Sequence, residues 1–229
     1  MAKGAKLSRK QLLKEPDQFI TTTGRMIRWA RSHRRSLLWG TGGFLVLVVA
    51  IVGYFALSER LEQRAQNRFR GLIERYSAKL ESDGAKAAFD DVKEDFERAL
   101  DSYGGKDAAV PARFAFADIC MEAGEPELAL SHLDQSLKDF EKDPFYRYLV
   151  LDKMGHAYLA LKVYPRAIEA FEEVAARKDF FLQDEALFIL GGIYKETGKG
   201  QKSRNAYQKL LSDHGDSIYA SLVREMLDG

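Results

Sequence analysis

The side chains able to do chemistry in this chain are few and scattered. Cys120 is its one cysteine, and the histidines, His33, His132, His156 and His214, stand too far apart for metal-ligand spacing. Nucleophilic catalysis needs a Ser or Cys beside a His and an orienting acid, and no such grouping is readable. Gly191-Gly192 falls inside a helical pattern, so it reads as packing and not as a phosphate-cradling loop. The carboxylate pairs Asp90-Asp91 and Glu172-Glu173 fall at exposed helix positions and read as solvated faces. A single cysteine allows no intramolecular disulfide and is compatible with any compartment. The expectation is a protein that is not an enzyme, with no cofactor, metal, nucleic acid or small-molecule substrate.

What remains is the scaffold. Residues 37–57, LLWGTGGFLVLVVAIVGYFAL, form an uncharged run of 21. As a helix it would reach about 30 Å, the thickness of a bilayer's hydrocarbon core. A core helix is usually shorter and keeps a polar edge. Ala56-Leu57-Ser58 loosely resembles a signal-cleavage site, but 36 residues precede the run and it exceeds a signal's apolar core. The run reads as a transmembrane helix.

The overall charge of +1 conceals an asymmetry. Residues 1–36 hold ten Lys/Arg and two acids, whereas 58–229 hold 25 Lys/Arg and 32 acids. A short basic tail beside a membrane suits anionic lipid head groups. Within fifteen residues of the run, Lys/Arg number five on the N-terminal side and four on the other. The whole tail carries ten, so the positive-inside rule places it in the cytoplasm. The expected location is a bacterial inner membrane, crossed once, with the C-terminal domain in the periplasm.

Residues 1–24 look broken by Gly4, Pro16 and the TTTG of 21–24, with a short helix conceivable over SRKQLLKEPDQF. Arg25 to Arg35 reads as a basic helix end, with Trp29 and Trp39 as interfacial anchors. Residues 58–82 carry an apolar face (Leu61, Ala65, Phe69, Leu72, Ile73, Tyr76, Leu80) at helical spacing. No breaker separates them from the apolar run, so one helix running on as a stalk is expected. Asp83-Gly84 is a turn, residues 85–103 a second amphipathic helix, and Gly104-Gly105 its stop.

From Val110 the chain repeats itself at about 34 residues, over 110–143, 148–181 and 184–217. The unit resembles a tetratricopeptide repeat, whose pattern asks for set residue types at positions 4, 7, 8, 11, 20, 24 and 27. The last copy offers Leu187, Leu190, Gly191, Tyr194, Ser203, Tyr207 and Leu210. The middle copy offers Leu151, Met154, Gly155, Tyr158, Ala167, Phe171 and Val174. The first offers Arg113, Phe116, Ala117, Cys120, Ala129, Leu133 and Ser136, with Arg113 and Cys120 as weak matches. Small residues at positions 8 and 20 let paired helices approach, and aromatics fill the space toward neighbours. Copies must stack to bury their apolar faces. The expected fold is all-α: a transmembrane helix (37–57), a helical stalk and capping hairpin (58–105), then a right-handed superhelix of repeats (106–229). In SIYASLVREMLDG, Ile218, Leu222 and Met226 would cover the last repeat.

The resemblance implies protein binding through a concave face lined by positions 2, 5, 9, 12 and 13 of each first helix. The candidate groove residues are Phe114, Asp118, Met121, Leu149, Asp152, His156, Leu159, Phe188 and Lys195. With one lysine among them, the clamp that some relatives use for acidic C-termini is not expected. An apolar strip flanked by acids suits an extended hydrophobic or basic segment. The same side chains equally suit packing on the 59–103 helices or between repeats. The order of parts also resembles the bacterial ancillary Sec-translocon subunit (YfgM-like) family. That implies a chaperone-like adaptor beside the translocon, in contact with translocon components and exported or periplasmic proteins. An envelope-assembly or cell-division scaffold, or a cytosol-facing organelle import receptor, are the alternatives.

Overall fold

Apolar residues at helical spacing, cut by glycine and proline at regular intervals, produce a chain of helices. The computed structural model describes residues 18–178 and 180–228. Across them run α1 (Gln18–Ser32), α2 (Arg34–Asp83), α3 (Ala85–Tyr103), α4 (Ala109–Glu122), α5 (Pro126–Asp139), α6 (Pro144–Ala160), α7 (Tyr164–Ala176), α8 (Gln183–Glu196), α9 (Gly200–Asp213) and α10 (Ala220–Asp228). No strand occurs among the described residues.

Two units divide the chain, Met1–Arg60 and Leu61–Gly229. In the first, α1 takes in residues 21–24, where the TTTG was expected to break the helix. Threonine and glycine each disfavour a helix by only about 0.5–1 kcal/mol, too little to stop one that good formers extend. The short helix expected before Pro16 lies outside the described residues. In α2 the apolar run and the 58–82 segment belong to one helix without a break. The large apolar side chains of the run are exposed, from Leu38 and Trp39 through Phe44 and Val52 to Phe55 and Leu57. Among the described residues α2 is the one helix long and apolar enough to cross a membrane, judged by length and composition.

The second unit begins with a helical hairpin. Phe69, Leu72 and Tyr76 of α2 bury with Phe89, Val92 and Phe96 of α3. Gly84 turns the chain at φ 83°, a left-handed conformation that glycine adopts without a Cβ clash. Arg75 ties the two helices through Asp91 at 2.9 Å and Asp95 at 2.8 Å. Such exposed pairs contribute little each, but they favour one register. Asp91, read from sequence as a solvated carboxylate, is thus an inter-helix tie.

Three helix pairs follow: α4/α5, α6/α7 and α8/α9. Proline opens α5, α6 and α7 in the first turn, where its missing N–H costs nothing. The turn within each pair has the same hydrogen bonds at the same offset. Gly124 N donates to Met121 O (3.1 Å) and Glu125 N to Cys120 O (2.9 Å). Lys162 N donates to Leu159 O (2.9 Å) and Val163 N to Tyr158 O (2.8 Å). Gly198 N donates to Lys195 O (3.1 Å) and Lys199 N to Tyr194 O (2.7 Å). This is a Schellman-type stop, and its central residue must be left-handed. Gly124 (φ 75°) and Gly198 (φ 73°) meet that need, whereas the middle repeat places Lys162 there at φ 58°. Lys162→Gly is therefore expected to stabilise the domain by up to about 1 kcal/mol, read as a higher denaturation midpoint.

The core forms two clusters. One joins the hairpin to α4 and α5, with Val150 and Met154 of α6. The other runs from Leu151 through α7, α8 and α9 to Ala220 and Val223. Leu137 and Tyr158 pack against both. The C-terminal helix caps the array with a different face from the one expected. Ile218 is 83% exposed, and Leu222 and Met226 are also exposed, while Ala220 and Val223 are buried. Ile218 precedes α10, so the spacing 220, 223, 227 faces inward instead.

Candidate functional site

The repeat offsets dictate which side chains are buried between helices and which line the face of the array. Of the pattern residues, Ala117, Ala129, Gly155, Ala167, Phe171, Gly191, Tyr194 and Tyr207 are buried, and Tyr158 is half-buried. At Gly155 an added Cβ would stand 2.7 Å from Phe171 Cζ, and at Gly191 2.2 Å from Tyr207 Cε1. Ser203 departs from the expected alanine, and its hydroxyl donates to the Gly191 carbonyl at 2.7 Å. Arg113 departs from the large apolar residue expected, and it is buried in an ion pair with Asp139. The Tyr194 hydroxyl donates to Glu172, so that carboxylate too joins two helices. Cys120 is buried, and burial first, then nearby Glu97, pushes its thiol up to about 12, as suits a packing residue.

The groove candidates divide into three groups. Phe114, Asp118 and Lys153 come together: Lys153 Nζ lies 2.5 Å from Asp118 and 5.2 Å from the Phe114 ring centroid. Phe114 and Met121 also pack against the first core cluster, and Leu149 and Leu159 against the second. Phe188 stacks on Tyr219, with centroids 4.7 Å apart and rings at 16°. The apolar strip is thus half-buried, and part of it is covered by the chain's own C-terminal segment. Lys195 is exposed.

The remaining group is polar. His156 Nε2 lies 3.7 Å from Asp152 Oδ2 and 3.6 Å from Glu185 Oε1. Asp152 is 7% exposed. Burial first, opposed by His156 and reinforced by Glu185, raises its carboxyl to about 6. Between pH 4 and 6 the folded protein therefore holds more protons than the unfolded chain, and stability falls as pH rises through that window. Asp152→Asn is expected to add about 1–3 kcal/mol at pH 7.5 and nothing at pH 3.5, checked by denaturation at both.

Sequence reasoning missed several tertiary contacts. The Glu62 carboxylate accepts from Ala108 N (2.7 Å) and Asp107 N (3.1 Å), holding the turn that leads into α4 from 46 and 45 residues away. The Tyr76 hydroxyl donates to Glu122 at 2.6 Å. Neither carries a local signal, because each partner is set by tertiary packing. An aromatic patch of Phe145, Phe180 and Phe181 borders Arg177 and Lys178, and Phe145 and Phe181 are exposed.

The model of the tetratricopeptide repeat-like domain matches residues 28–229. The chain belongs to that family. Members of this repeat class generally serve as non-catalytic scaffolds for protein–protein interaction. No curated protein matches the sequence. Among solved structures, the TPR-like repeats of a chain described as a Podosopora anserina kinesin light chain align with a TM-score of 0.53 at 16% identity, over 67% of this chain and 78% of that one. MamA aligns with a TM-score of 0.50 at 18% identity, over 67% of this chain and 84% of that one. At such identities the likeness establishes the repeat fold.

Proposed function

We propose that this repeat protein is a single-pass, membrane-anchored adaptor whose groove binds extended segments of other proteins on the far side of the membrane from its basic N-terminal tail. In a bacterial inner membrane that side is the periplasm, and the partners are translocon components and the exported or periplasmic proteins beside them. The observation that carries the anchor is the uncharged stretch 37–57, whose large apolar side chains are exposed along its length. Exposed apolar surface of that extent marks contact with lipid or a partner. Trp29 and Trp39 are exposed near its start, as interfacial anchors require. The binding role is supported by the repeat fold, and the ancillary translocon role by the order of tail, span, stalk and repeats.

Topology is testable with one introduced thiol. Cys120 is buried and its thiol is held protonated, so it supplies no background to maleimide in the folded protein. Ser221 is exposed. Ser221→Cys is expected to react with a membrane-impermeant maleimide in intact spheroplasts, and the protein to stay in the pellet after alkaline extraction. Labelling only after lysis would place the repeats in the cytoplasm.

A further inference from the structure

Among the described residues, no Lys or Arg is paired with Asp152 or Glu185, and the one partner within ion-pair distance of both is His156. Asp152 Oδ1 is buried without a hydrogen-bond partner. Buried carboxylates are ordinarily paired or hydrogen-bonded. His156 stands 3.6–3.7 Å from both carboxylates, beyond hydrogen-bond reach of either, and is a cation only when protonated. The neighbouring ammonium, Lys153, is engaged by Asp118 at 2.5 Å. From the C-terminal segment Tyr219 presents a phenol whose ionisation the acids Glu185, Asp184 and Asp152 disfavour after burial. Asp184 itself accepts from Ser217 at 2.6 Å. Thus α6 contributes Asp152, Lys153 and His156, α8 contributes Asp184 and Glu185, and among the described residues no permanently charged side chain is paired with Asp152 or Glu185.

Leu149, Asp152, His156 and Leu159 recur at helical spacing along one face of α6. The face is apolar at both ends and acidic in the middle. The uncompensated charge, which acts through the more accessible Glu185 and the Asp152 carboxylate beneath it, favours a cationic side chain, and the flanking leucines favour apolar neighbours in the same extended chain.

We propose that the Asp152–Glu185 pair receives an Arg or Lys side chain from an extended segment of a protein partner. The side chain enters beside His156, with Glu185 at the accessible rim and Asp152 beneath. This deepens the groove reading and rests on it. Recognition is gated by acidity. The carboxyl of Asp152 becomes neutral as pH falls through about 6, and the attraction for a fixed cation weakens with it.

The test uses the full chain in mild detergent and fluorescence anisotropy with two labelled peptides of alternating valine and glycine. One carries a central arginine, the other citrulline, which keeps the shape and removes the charge. The arginine peptide is expected to bind at least about tenfold more tightly at pH 7.5, a difference equal to about 1.4 kcal/mol. Asp152→Asn and Glu185→Gln should each reduce that preference several-fold, as should a shift to pH 5. Asp152→Asn removes an unpartnered buried charge and should fold, which its melting curve verifies. Equal binding of the two peptides by the unaltered protein, or a preference that survives both substitutions, overturns the cation site while leaving the groove. Binding of neither peptide overturns the groove and the cation site together.

Discussion

Gly191→Leu should destabilise the repeat domain by about 3 kcal/mol, at the upper end of the usual cost of overpacking a filled core. The reason is direct. A Cβ on Gly191 would meet Tyr207 at 2.2, 2.5 and 2.6 Å, distances that real side chains do not sustain. Tyr207 is buried and borders Phe188 at 6.2 Å between centroids, so its ring has little room to retreat. The α8 backbone is held as well, because the Gly191 carbonyl accepts from Ser203. Even Gly191→Ala should lose stability, although alanine is by about 1 kcal/mol the better helix former. The adjacent Gly192 is the control: it is exposed, and the nearest atom to its added Cβ is Tyr207 Oη at 3.9 Å. Gly192→Ala should be neutral or mildly stabilising. Adding Tyr207→Leu to Gly191→Leu should restore part of the loss, since the clash is pairwise. Chemical denaturation of the four variants decides it, and an unchanged midpoint for Gly191→Leu would refute the repeat register.

Phe116→Ala should cost about 3–5 kcal/mol, the range for truncating a fully buried aromatic. Phe116 is fully buried in α4, stacked on Phe96 with centroids 4.4 Å apart and rings at 8°. Phe89 lies 6.3 Å away and the His132 ring 4.9 Å away, edge-on. Two of these neighbours belong to α3 and one to α5. The side chain therefore joins the N-terminal hairpin to the first repeat, and its loss should loosen the hairpin as well as lower the midpoint. Hydrogen exchange would show both effects. Protection in α3 that survives Phe116→Ala would mean that the hairpin stands independently of the array.

Much of this architecture is legible in the sequence because it rests on offsets. Gly155 and Gly191 recur at one position, and Phe171 and Tyr207 at another, and the structure brings each glycine against its aromatic. The helix stops recur too, at Gly124, Lys162 and Gly198, although Lys162 hides one of them behind a residue that does not advertise a turn. The capping face of α10 is not legible, because Ile218–Leu222–Met226 and Ala220–Val223–Leu227 both satisfy helical spacing. Only the position at which the helix starts separates them. Long-range polar contacts leave no local pattern at all. Glu62 accepting from the turn before α4, Arg113 pairing with Asp139, and Asp152 and Glu185 meeting at His156 between neighbouring repeats depend on distances that packing creates. The groove shows the same division: position numbers nominate its residues, whereas their half-burial and the stacking of Tyr219 on Phe188 emerge only in three dimensions.

Under the proposed function, the groove of this repeat protein engages other proteins beside a membrane. That engagement is tested most directly by a photo-crosslinking amino acid placed at His156 in the full chain, in the membrane of the cells that make it. His156 has 37% of its side chain exposed beside Asp152 and Glu185. An equivalent probe at the exposed Gln201 on α9 serves as the reference. Adducts with translocon components or exported chains are expected from His156 and not from Gln201. Identical adducts from both positions, or none from His156, would contradict the proposed function.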